Sequence, residues 1–588
     1  MYSSRISASL TFLCILCGTV AAAPQEPAQK TVPAAYESGR AAMQRGDLPA
    51  ARKDLEKAVR LNPQSAEAQN MLGQVLLEEG DLDGAINHFR TLVRLRPMLA
   101  IAHAYLAQAL QAKGLMNEGI RQLRSAVDLA PQQWQAHQAL GRALSFQHKT
   151  DDAIAELKEA TRLTPQRAEL HDELGSLLAQ QLRFEEAEKE FRDALKINPV
   201  FEPAYFHLGV ALSSEGEHQK AQAELERALK LDPNDAMAWY YRGTTLEAGS
   251  NPEEALRSFE QAVKLKPDFA PSQTSFGLLL QRVGDYDRAV AAFTKAIELN
   301  PSDPESHNNL ALALLQRGEA DAAIKEFQEA IRLRPDDAGF QGNLGTAYLQ
   351  KTDFDNAATQ FRVALKLDPA RASLHYDLAL ALKLRDDLPA AIAEWKEAIR
   401  LDPELADAHY SLGVTLWQSG DFAGAADELR QAIQIQPNYA EAYYTLGTVL
   451  KQMDNLPEAA KMLRQAIQLD PDFAGAHTTL AGVLRQLGDT AGAAAESKAG
   501  AEMAKAKTDL QAATFATNSG RRLLNAGDLD GAISQFRTAI RVLPSYPTAH
   551  YELGLALSQK GSKEEAAEEY RKAAELDPRL TQPTTSVH

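Results

Sequence analysis

The chain has 588 residues, of which 45% are hydrophobic and 24% are charged, and it carries a formal net charge of −17. This composition is typical of a globular protein and disfavours a nucleic-acid partner, because phosphate binding needs clustered Lys and Arg side chains. We expect the negative charge to belong to a solvated surface that keeps a long protein soluble.

The first residues have the layout of a secretory leader. Arg5 supplies a short basic region, residues 9–22 are mostly apolar, and small residues follow. The apolar run is shorter than the roughly 20 residues that a membrane-spanning helix needs. We predict a Sec-type signal peptide over residues 1–22, cleaved after Ala22, and a Pro-rich linker over residues 23–33. The mature chain is then expected to be periplasmic or secreted, with no stable membrane span.

Proline recurs at a fixed interval of 34 residues over most of the chain. The series comprises Pro63, Pro97, Pro131, Pro165, Pro199, Pro233, Pro267, Pro301, Pro335, Pro369, Pro403, Pro437 and Pro471. The same interval separates Pro544 from Pro578 after a break. A register that is kept over so many intervals indicates an array of equal structural units.

The unit at residues 404–437 shows the local signals of each repeat. Its first part has apolar residues at helical spacing and ends at Gly420, a residue suited to a left-handed helix C-cap. Asp421 is a good N-cap for a second amphipathic helix. Pro437 ends that helix, because proline disfavours helical geometry in the residue before it. Each unit is therefore predicted to contain two helices joined by short turns.

Small residues occupy equivalent places in the predicted helices. One place in the first helices holds mostly Gly, such as Gly413, and two places in the second helices hold mostly Ala, such as Ala425 and Ala432. Glycine costs about 1 kcal/mol relative to alanine inside a helix, so its repeated use needs a reason. We expect these small side chains to let paired helices approach closely, while larger residues such as Phe361 and Trp395 fill the space beside them.

This pattern resembles that of the tetratricopeptide repeat family. The match rests on the Leu-Gly pair that ends at Gly413, on the paired alanines Ala425 and Ala432, and on the closing Pro437. It extends over residues 32–578 in about sixteen units. The resemblance implies an all-α fold, a right-handed superhelical α-solenoid of antiparallel helix hairpins in 34-residue units. It also implies that the first helices line a concave groove, which in this family typically binds peptide segments or partner proteins.

The repeat pattern breaks after Pro471. The next closing proline is missing, and 73 residues separate Pro471 from Pro544. The intervening sequence is rich in good helix formers, so we predict a second helix that runs long and continues into the next hairpin. A harmless insertion in a surface turn is the alternative. The predicted domains are an array of about 14 repeats over residues 32–504, the last one degenerate, a C-terminal pair of repeats over 505–578, and a disordered tail over 579–588.

Eight histidines recur at one repeat position and invite a metal hypothesis. They are His103, His137, His171, His307, His375, His409, His477 and His550. A zinc ligand lies about 2 Å from its ion, whereas equivalent atoms of neighbouring repeats lie about 10 Å apart. We therefore interpret these histidines as packing residues, small flat substitutes for the aromatic residue that the family commonly has there.

Nothing in the sequence predicts chemistry. The HExxH, Walker and GxSxG patterns are absent from it. The predicted repeats leave only about ten residues at either end of the mature chain, which is too little for a catalytic domain. We expect a non-enzymatic protein with no catalytic, cofactor-binding or metal-binding residues.

Aromatic and basic residues mark the predicted groove. The candidate ligand-binding residues are Phe206, Tyr240, Tyr376, Lys383, Tyr410, Trp417, Tyr444 and Lys451. Flat rings bury a large area at low entropic cost, and flanking charge suits a peptide groove. The alternative interpretation is that Tyr is simply common at these places in the family.

Two functional hypotheses follow. The first is a non-enzymatic protein–protein interaction scaffold of the bacterial cell envelope, which binds partner segments in the concave groove. The second is an accessory subunit of an envelope polysaccharide or glycan machinery, in which the aromatic residues contact glycan. Protein or peptide segments are therefore the expected partners, and glycan is the second class.

Overall fold

The computed structural model of the protein describes residues 32–581, and these residues form helices and turns without a strand. This confirms the predicted all-α class. The predicted signal peptide, nearly all of the predicted linker and most of the predicted tail lie outside the described residues. The chain divides into two compact units, Met1–Pro301 and Ser302–His588.

The described part of the N-terminal unit contains sixteen helices, which pair in chain order into eight hairpins, each packed on the next. The helices are α1 (Val32–Gln44), α2 (Leu48–Leu61), α3 (Ala66–Glu78), α4 (Leu82–Leu95), α5 (Ala100–Ala112), α6 (Met116–Leu129), α7 (Trp134–Phe146), α8 (Thr150–Leu163), α9 (Ala168–Gln180), α10 (Phe184–Ile197), α11 (Glu202–Glu215), α12 (His218–Leu231), α13 (Ala236–Ala248), α14 (Pro252–Leu265), α15 (Ala270–Arg282) and α16 (Tyr286–Leu299).

The described part of the C-terminal unit contains fifteen helices with the same pairing. They are α17 (Pro304–Gln316), α18 (Ala320–Leu333), α19 (Ala338–Gln350), α20 (Phe354–Leu367), α21 (Ala372–Leu384), α22 (Leu388–Leu401), α23 (Ala406–Gln418), α24 (Phe422–Ile435), α25 (Ala440–Gln452), α26 (Leu456–Leu469), α27 (Ala474–Gln486), α28 (Thr490–Asn525), α29 (Leu529–Val542), α30 (Pro547–Lys560) and α31 (Lys563–Leu576). In both units the first helix of a hairpin ends at a tight turn, and each second helix except α28 ends just before a closing proline, as the sequence predicts.

Every hairpin turn within residues 32–581 passes through the left-handed region at the same repeat position. Ten of these residues are glycines, and Gly420 has a φ of +90°. The other six are His148, Leu182, Ser250, Thr352, Asp386 and Asp454. Asp421 follows Gly420, and its carboxylate accepts a hydrogen bond from the Gly424 backbone N–H at 2.9 Å. This is the predicted pairing of a left-handed C-cap with an Asp N-cap.

The small residues lie where paired helices cross. A Cβ atom added to Gly413 in α23 would come within 2.8 Å of Leu429 Cγ and 3.2 Å of the Ala425 carbonyl oxygen in α24. Ala425 and Ala432 are fully buried. A larger side chain at these places would push the helices apart, so the repeated small residues set the close packing of each hairpin.

The segment after the break forms one continuous helix of 36 residues, α28. It packs on α27 as the second helix of one hairpin and on α29 as the first helix of the next. Most side chains of its middle part, between residues 501 and 512, are exposed. The chain therefore passes from one hairpin to the next without a turn. This agrees with the prediction of a long second helix and not with the alternative of an insertion in a surface turn.

Candidate functional site

Five aromatic side chains lie on, or directly before, neighbouring first helices of the C-terminal unit. Tyr376, Tyr410 and Tyr444 occupy equivalent places in α21, α23 and α25, while Tyr439 and Phe473 precede α25 and α27. All five are half-buried. The ring centroids are 4.9 Å apart for Tyr410 and Tyr439 and 4.7 Å apart for Tyr444 and Phe473. We call these five residues the aromatic shelf.

Polar contacts hold the shelf in place. The Tyr439 hydroxyl donates a hydrogen bond to the Asp407 carboxylate at 3.1 Å. Burial, together with the negative charge of Asp407, raises the pKa of Tyr439 well above its usual range. The Tyr376 hydroxyl lies 3.5 Å from the Ser411 hydroxyl of the next hairpin. These contacts restrain the Tyr439 and Tyr376 rings, and a restrained ring loses less conformational entropy when a partner covers it.

Exposure of the shelf depends on its small neighbours. The residue directly after the shelf tyrosine is Ser411 in α23 and Thr445 in α25. A side chain at this position faces the preceding hairpin, as the contact of Ser411 with Tyr376 shows. In the N-terminal unit the corresponding neighbour of Phe206 is Tyr241, whose ring centroid lies 5.7 Å away. As a result Phe206 is only 5% exposed.

The structure thus separates the predicted site residues. Phe206 belongs to the core and presents almost no surface to a ligand, contrary to its assignment from the sequence. Tyr240 packs edge-on against Phe269, at a centroid distance of 5.3 Å, and against Tyr241. Tyr376, Tyr410 and Tyr444 occupy equivalent places in α21, α23 and α25. Tyr439 and Phe473 are not among the predicted site residues, because they are the N-caps of α25 and α27 and lie outside the helical periodicity.

A row of cations follows the shelf toward the C-terminal ends of the same helices. Lys383 in α21, Lys451 in α25 and Arg485 in α27 occupy one repeat position, and Trp417 holds that position in α23. The Trp417 Nε1–H donates to Gln452 Oε1 of the next hairpin at 2.6 Å. We call Lys383, Lys451 and Arg485 the cation row.

None of the three cations has an acidic partner among residues 32–581. Lys383 Nζ lies 5.8 Å from the centre of the buried Trp395 ring, and burial lowers the pKa of this lysine. Lys451 extends across Gly482, where an added Cβ would come within 3.3 Å of Nζ. The glycine therefore leaves room for the lysine side chain.

Several other cations on first helices have carboxylate partners. Arg142 Nε lies 2.6 Å from a Glu173 oxygen, and Arg282 Nη2 lies 3.0 Å from Glu247. Arg521 Nη2 is 2.7 Å from Glu552. These pairs join adjacent hairpins, whereas the cation row leaves its charge available.

One acidic side chain beside the shelf has an unusual environment. Asp377 follows Tyr376 in α21, and burial raises its pKa to about 6, although the nearby Arg371 acts in the opposite direction. This carboxyl group is therefore neutral in mildly acidic solution and charged above pH 7.

The recurring histidines bridge the two helices of a hairpin, a role that goes beyond the predicted packing. His409 Nδ1 lies 2.7 Å from the Glu428 carboxylate in the second helix, and its Nε2 lies 3.2 Å from the carbonyl oxygen of Pro403. The same two acceptors, a Glu and the preceding proline carbonyl, contact six histidines: His137, His171, His375, His409, His477 and His550. The signal in the sequence is a Glu nineteen residues after the histidine.

This geometry affects ionisation. Carboxylate and carbonyl oxygens only accept hydrogen bonds, so both contacts are satisfied at once only by the doubly protonated imidazolium. The bond to its Glu is the chief reason that the pKa is raised for His171 and His409. His171, Glu190 and Asp193 also place ligand-type atoms within 4.8 Å of one another, but the Glu190 oxygen is the hydrogen-bond partner of His171 and Asp193 pairs with Lys196 at 2.7 Å.

Within the described residues, each helix is either too short or too polar to cross a lipid bilayer.

Comparison with protein families matches nearly the whole described chain. A model described as a tetratricopeptide repeat matches residues 36–97, 70–133, 138–200, 206–269, 274–338, 343–395 and 517–580. Two further models of the same repeat match residues 382–420, 415–454 and 440–473. No curated protein matches the chain.

The chain also matches several solved structures, among them the following three. The Cut9–Hcn1 hetero-tetramer of the APC/C matches with 17% sequence identity and a TM-score of 0.36, over 72% of this chain and 97% of that chain. Yeast Tom70 matches with 18% identity and a TM-score of 0.32, over 72% and 96%. YrrB, described as a TPR protein with an unusual peptide-binding site, matches with 27% identity and a TM-score of 0.29, over 32% and 96%.

Proposed function

The chain belongs to the tetratricopeptide repeat family, and we propose that it is a non-enzymatic scaffold that binds segments of partner proteins on the first helices of its C-terminal unit. The observation that carries this proposal is the aromatic shelf. Its five rings are only half-buried, and two close ring pairs connect α23 with α25 and α25 with α27.

The shelf has the properties of a protein-binding hot spot. Tyr and Phe side chains bury about 150–250 Å² each and lose little rotamer freedom when a partner covers them. Binding energy in protein interfaces concentrates in such aromatic anchors. The close packing of each hairpin keeps the rings on a rigid support, so a partner segment pays little for ordering the site.

The proposal includes a location in the bacterial cell envelope, periplasmic or secreted. It is supported by the leader pattern of the sequence, in which Arg5 precedes an apolar run and small residues end at Ala22. Amino-terminal sequencing of the protein from a fractionated host tests it. A mature chain that begins at Ala23 in the envelope fraction is expected, and an uncleaved chain in the cytosol would contradict the location while leaving the binding site intact.

Photo-crosslinking tests the binding site directly. Val414 is half-buried and lies one helical turn after Tyr410 on α23, so a photoreactive residue there reaches a segment bound on the shelf. We expect a specific partner polypeptide to be crosslinked in envelope extract. The crosslink should be lost in the variant that combines Tyr410→Ala with Tyr444→Ala.

A matched control is available at the same repeat position. Tyr551 in α30 packs against Tyr570 at a centroid distance of 5.6 Å and lies outside the shelf. Tyr551→Ala should leave crosslinking at position 414 unchanged. Crosslinking that survives the double substitution, or that yields polysaccharide and no polypeptide, would refute the proposal; the second result would favour an accessory role in a glycan machinery.

A further inference from the structure

The first helices that carry the aromatic shelf also carry the cation row, and a protein-binding surface in general does not require these positive charges. The protein as a whole carries a formal charge of −17, yet Lys383, Lys451 and Arg485 lie on one line of first helices without acidic partners among the described residues. Arg142, Arg282 and Arg521 on other first helices each have a carboxylate within 3.0 Å. A half-buried lysine that lacks a counter-charge is costly, and a partner carboxylate removes that cost.

We propose that the aromatic shelf and the cation row together bind an extended acidic segment of a partner protein, with its side-chain carboxylates on Lys383, Lys451 and Arg485. This inference rests on the proposed function and specifies its ligand. Complementary charge gives such an interface its register and its specificity, while the rings supply affinity.

The spacing of the cations predicts the spacing of the carboxylates. Equivalent atoms in the first helices of adjacent hairpins are separated by about the helix-packing distance of 8–10 Å. Lys383 lies on α21, Lys451 on α25 and Arg485 on α27, so the three cations are two hairpins and then one hairpin apart. A segment that crosses the helices therefore meets a cation, then Trp417 on α23, then two further cations.

A polyproline II conformation matches this period. It has three residues per turn and rises about 3.1 Å per residue, so one turn advances about 9 Å and presents the same side to every hairpin. A β-strand has a period of two and would turn alternate contacts away from the surface. About three residues of such a segment span one hairpin, so positions 1, 4, 7 and 10 lie over α21, α23, α25 and α27. The matched segment therefore carries carboxylates at positions 1, 7 and 10 and a flat or apolar side chain at position 4, over Trp417.

The acidic residues on α21, α23, α25 and α27 are Asp377, Asp407 and Glu441, and each lies nearer the N-terminal end of its helix than the cation row does. Asp407 lies at the start of α23, near the opposite end of the helix from the cation row, and its carboxylate accepts the hydrogen bond of Tyr439. Glu441 occupies the same position in α25. The face therefore has an acidic side and a basic side, and this polarity directs the carboxylates of a bound segment toward the C-terminal ends of the first helices.

Synthetic peptides test the inference on the full mature chain. The matched probe has about twelve residues, with Glu at positions 1, 7 and 10, Leu at position 4, and Pro and Ala elsewhere. A second peptide has the same composition with the three Glu at positions 1, 5 and 8. Binding is measured by titration calorimetry at low and at physiological salt, with Trp417 fluorescence as a second readout.

We expect the matched peptide to bind at least about tenfold more tightly than the shifted one, with affinity that falls as salt rises. Lys451→Glu should weaken the matched peptide by about tenfold or more, and a peptide with Lys at position 7 should recover binding to that variant. Lys461→Glu, an identical change of charge on the exposed face of α26, should have no effect.

Equal affinity for both peptides, an undiminished affinity of Lys451→Glu, or no binding of the matched peptide would each overturn the inference. Those failures differ from failure of the proposed function. If position 414 still crosslinks a partner polypeptide while the peptides fail, the scaffold stands and only the acidic-segment assignment is lost. If position 414 crosslinks no polypeptide, the proposed function fails as well.

Discussion

Replacement of His409 by glutamine should change the pH dependence of stability in a defined direction. In the native hairpin His409 contacts the Glu428 carboxylate at 2.7 Å and the Pro403 carbonyl oxygen at 3.2 Å. Both contacts are satisfied only when the ring carries two protons. The chain itself contains the proposed replacement, since Gln69 and Gln273 occupy the same position and donate to Pro63 and Pro267 at 2.9 and 3.1 Å.

The sign follows from the raised pKa of His409. A group with a higher pKa in the folded state stabilises the fold fully below its unfolded pKa, which is about 6.5 for histidine, and this contribution is lost as pH rises through the folded value. His409→Gln keeps the bond to the Pro403 carbonyl and loses the charged pair with Glu428. A hydrogen bond to a charged group contributes about 1.5–3 kcal/mol, so the variant should be less stable by about that amount at pH 6 and by less than about 1 kcal/mol at pH 8.5.

Local fluorescence makes the measurement specific, because repeat arrays unfold in segments. In a Trp134→Phe, Trp239→Phe background the remaining indoles are Trp395 on α22 and Trp417 on α23, the helix that carries His409. Urea denaturation of the two proteins at pH 6 and pH 8.5 gives the free energy of unfolding for this region. A destabilisation by His409→Gln that is the same at both pH values would refute the argument that the doubly protonated ring holds the hairpin.

Three further outcomes are expected. Asp377→Asn should stabilise the protein at pH 8 by no more than about 3 kcal/mol and have little effect at pH 4.5. The pKa of Asp377 is raised to about 6 in the folded protein, so its ionisation lowers stability as pH rises from the unfolded pKa to the folded one. Urea denaturation at the two pH values checks this, and no gain at pH 8 would contradict it. Leu182→Gly should raise the melting temperature of its region, since a left-handed conformation costs a residue with a side chain about 1–2 kcal/mol and Leu182 has a φ of +58° with 74% of its surface exposed. Ala221→Leu should lower stability by about 1–3 kcal/mol by overpacking a fully buried contact, and a thermal scan without any loss would count against the close-packing account.

The repeat fold was predictable because each signal in it is local. The turn needs a residue that tolerates positive φ, and Gly420 supplies it. The next helix needs an acceptor for its first N–H groups, and Asp421 supplies it. The continuous helix α28 follows from an Ala-rich sequence that lacks both a closing proline and a turn signal. Such features act within a few residues, so one sequence contains enough information to place them.

The candidate site was less predictable because it depends on contacts between residues far apart in the chain. The histidines were correctly interpreted as structural, yet their second partner lies nineteen residues away on another helix. Tyr439 and Phe473 were missed since a turn has no helical periodicity that would mark its side chains. Phe206 was assigned to the groove from its position in the repeat, although its exposure is decided by Tyr241 in the next hairpin.

A second set of contacts joins first helices of adjacent hairpins through residues 35 apart, and this spacing explains why one repeat position is buried in one hairpin and partly exposed in another. The spacing joins Asp172 to His207 at 2.8 Å, Asn308 to Asn343 at 2.8 Å, and Trp417 to Gln452 at 2.6 Å. In these pairs a side chain of one first helix contacts the residue one position further along in the next repeat. A bulky residue there, such as Tyr241 beside Phe206, covers its neighbour.

A small residue at that following position, such as Ser411 beside Tyr376, leaves the ring open to a partner. The buried glycines and alanines hold the hairpins together whichever residue stands 35 positions after the ring. A substitution at that position therefore changes the proposed binding face and leaves the fold unchanged. In the proposed scaffold, binding specificity therefore depends on pairs of residues 35 apart, because the small residues Ser411 and Thr445 leave the rings of the aromatic shelf partly exposed.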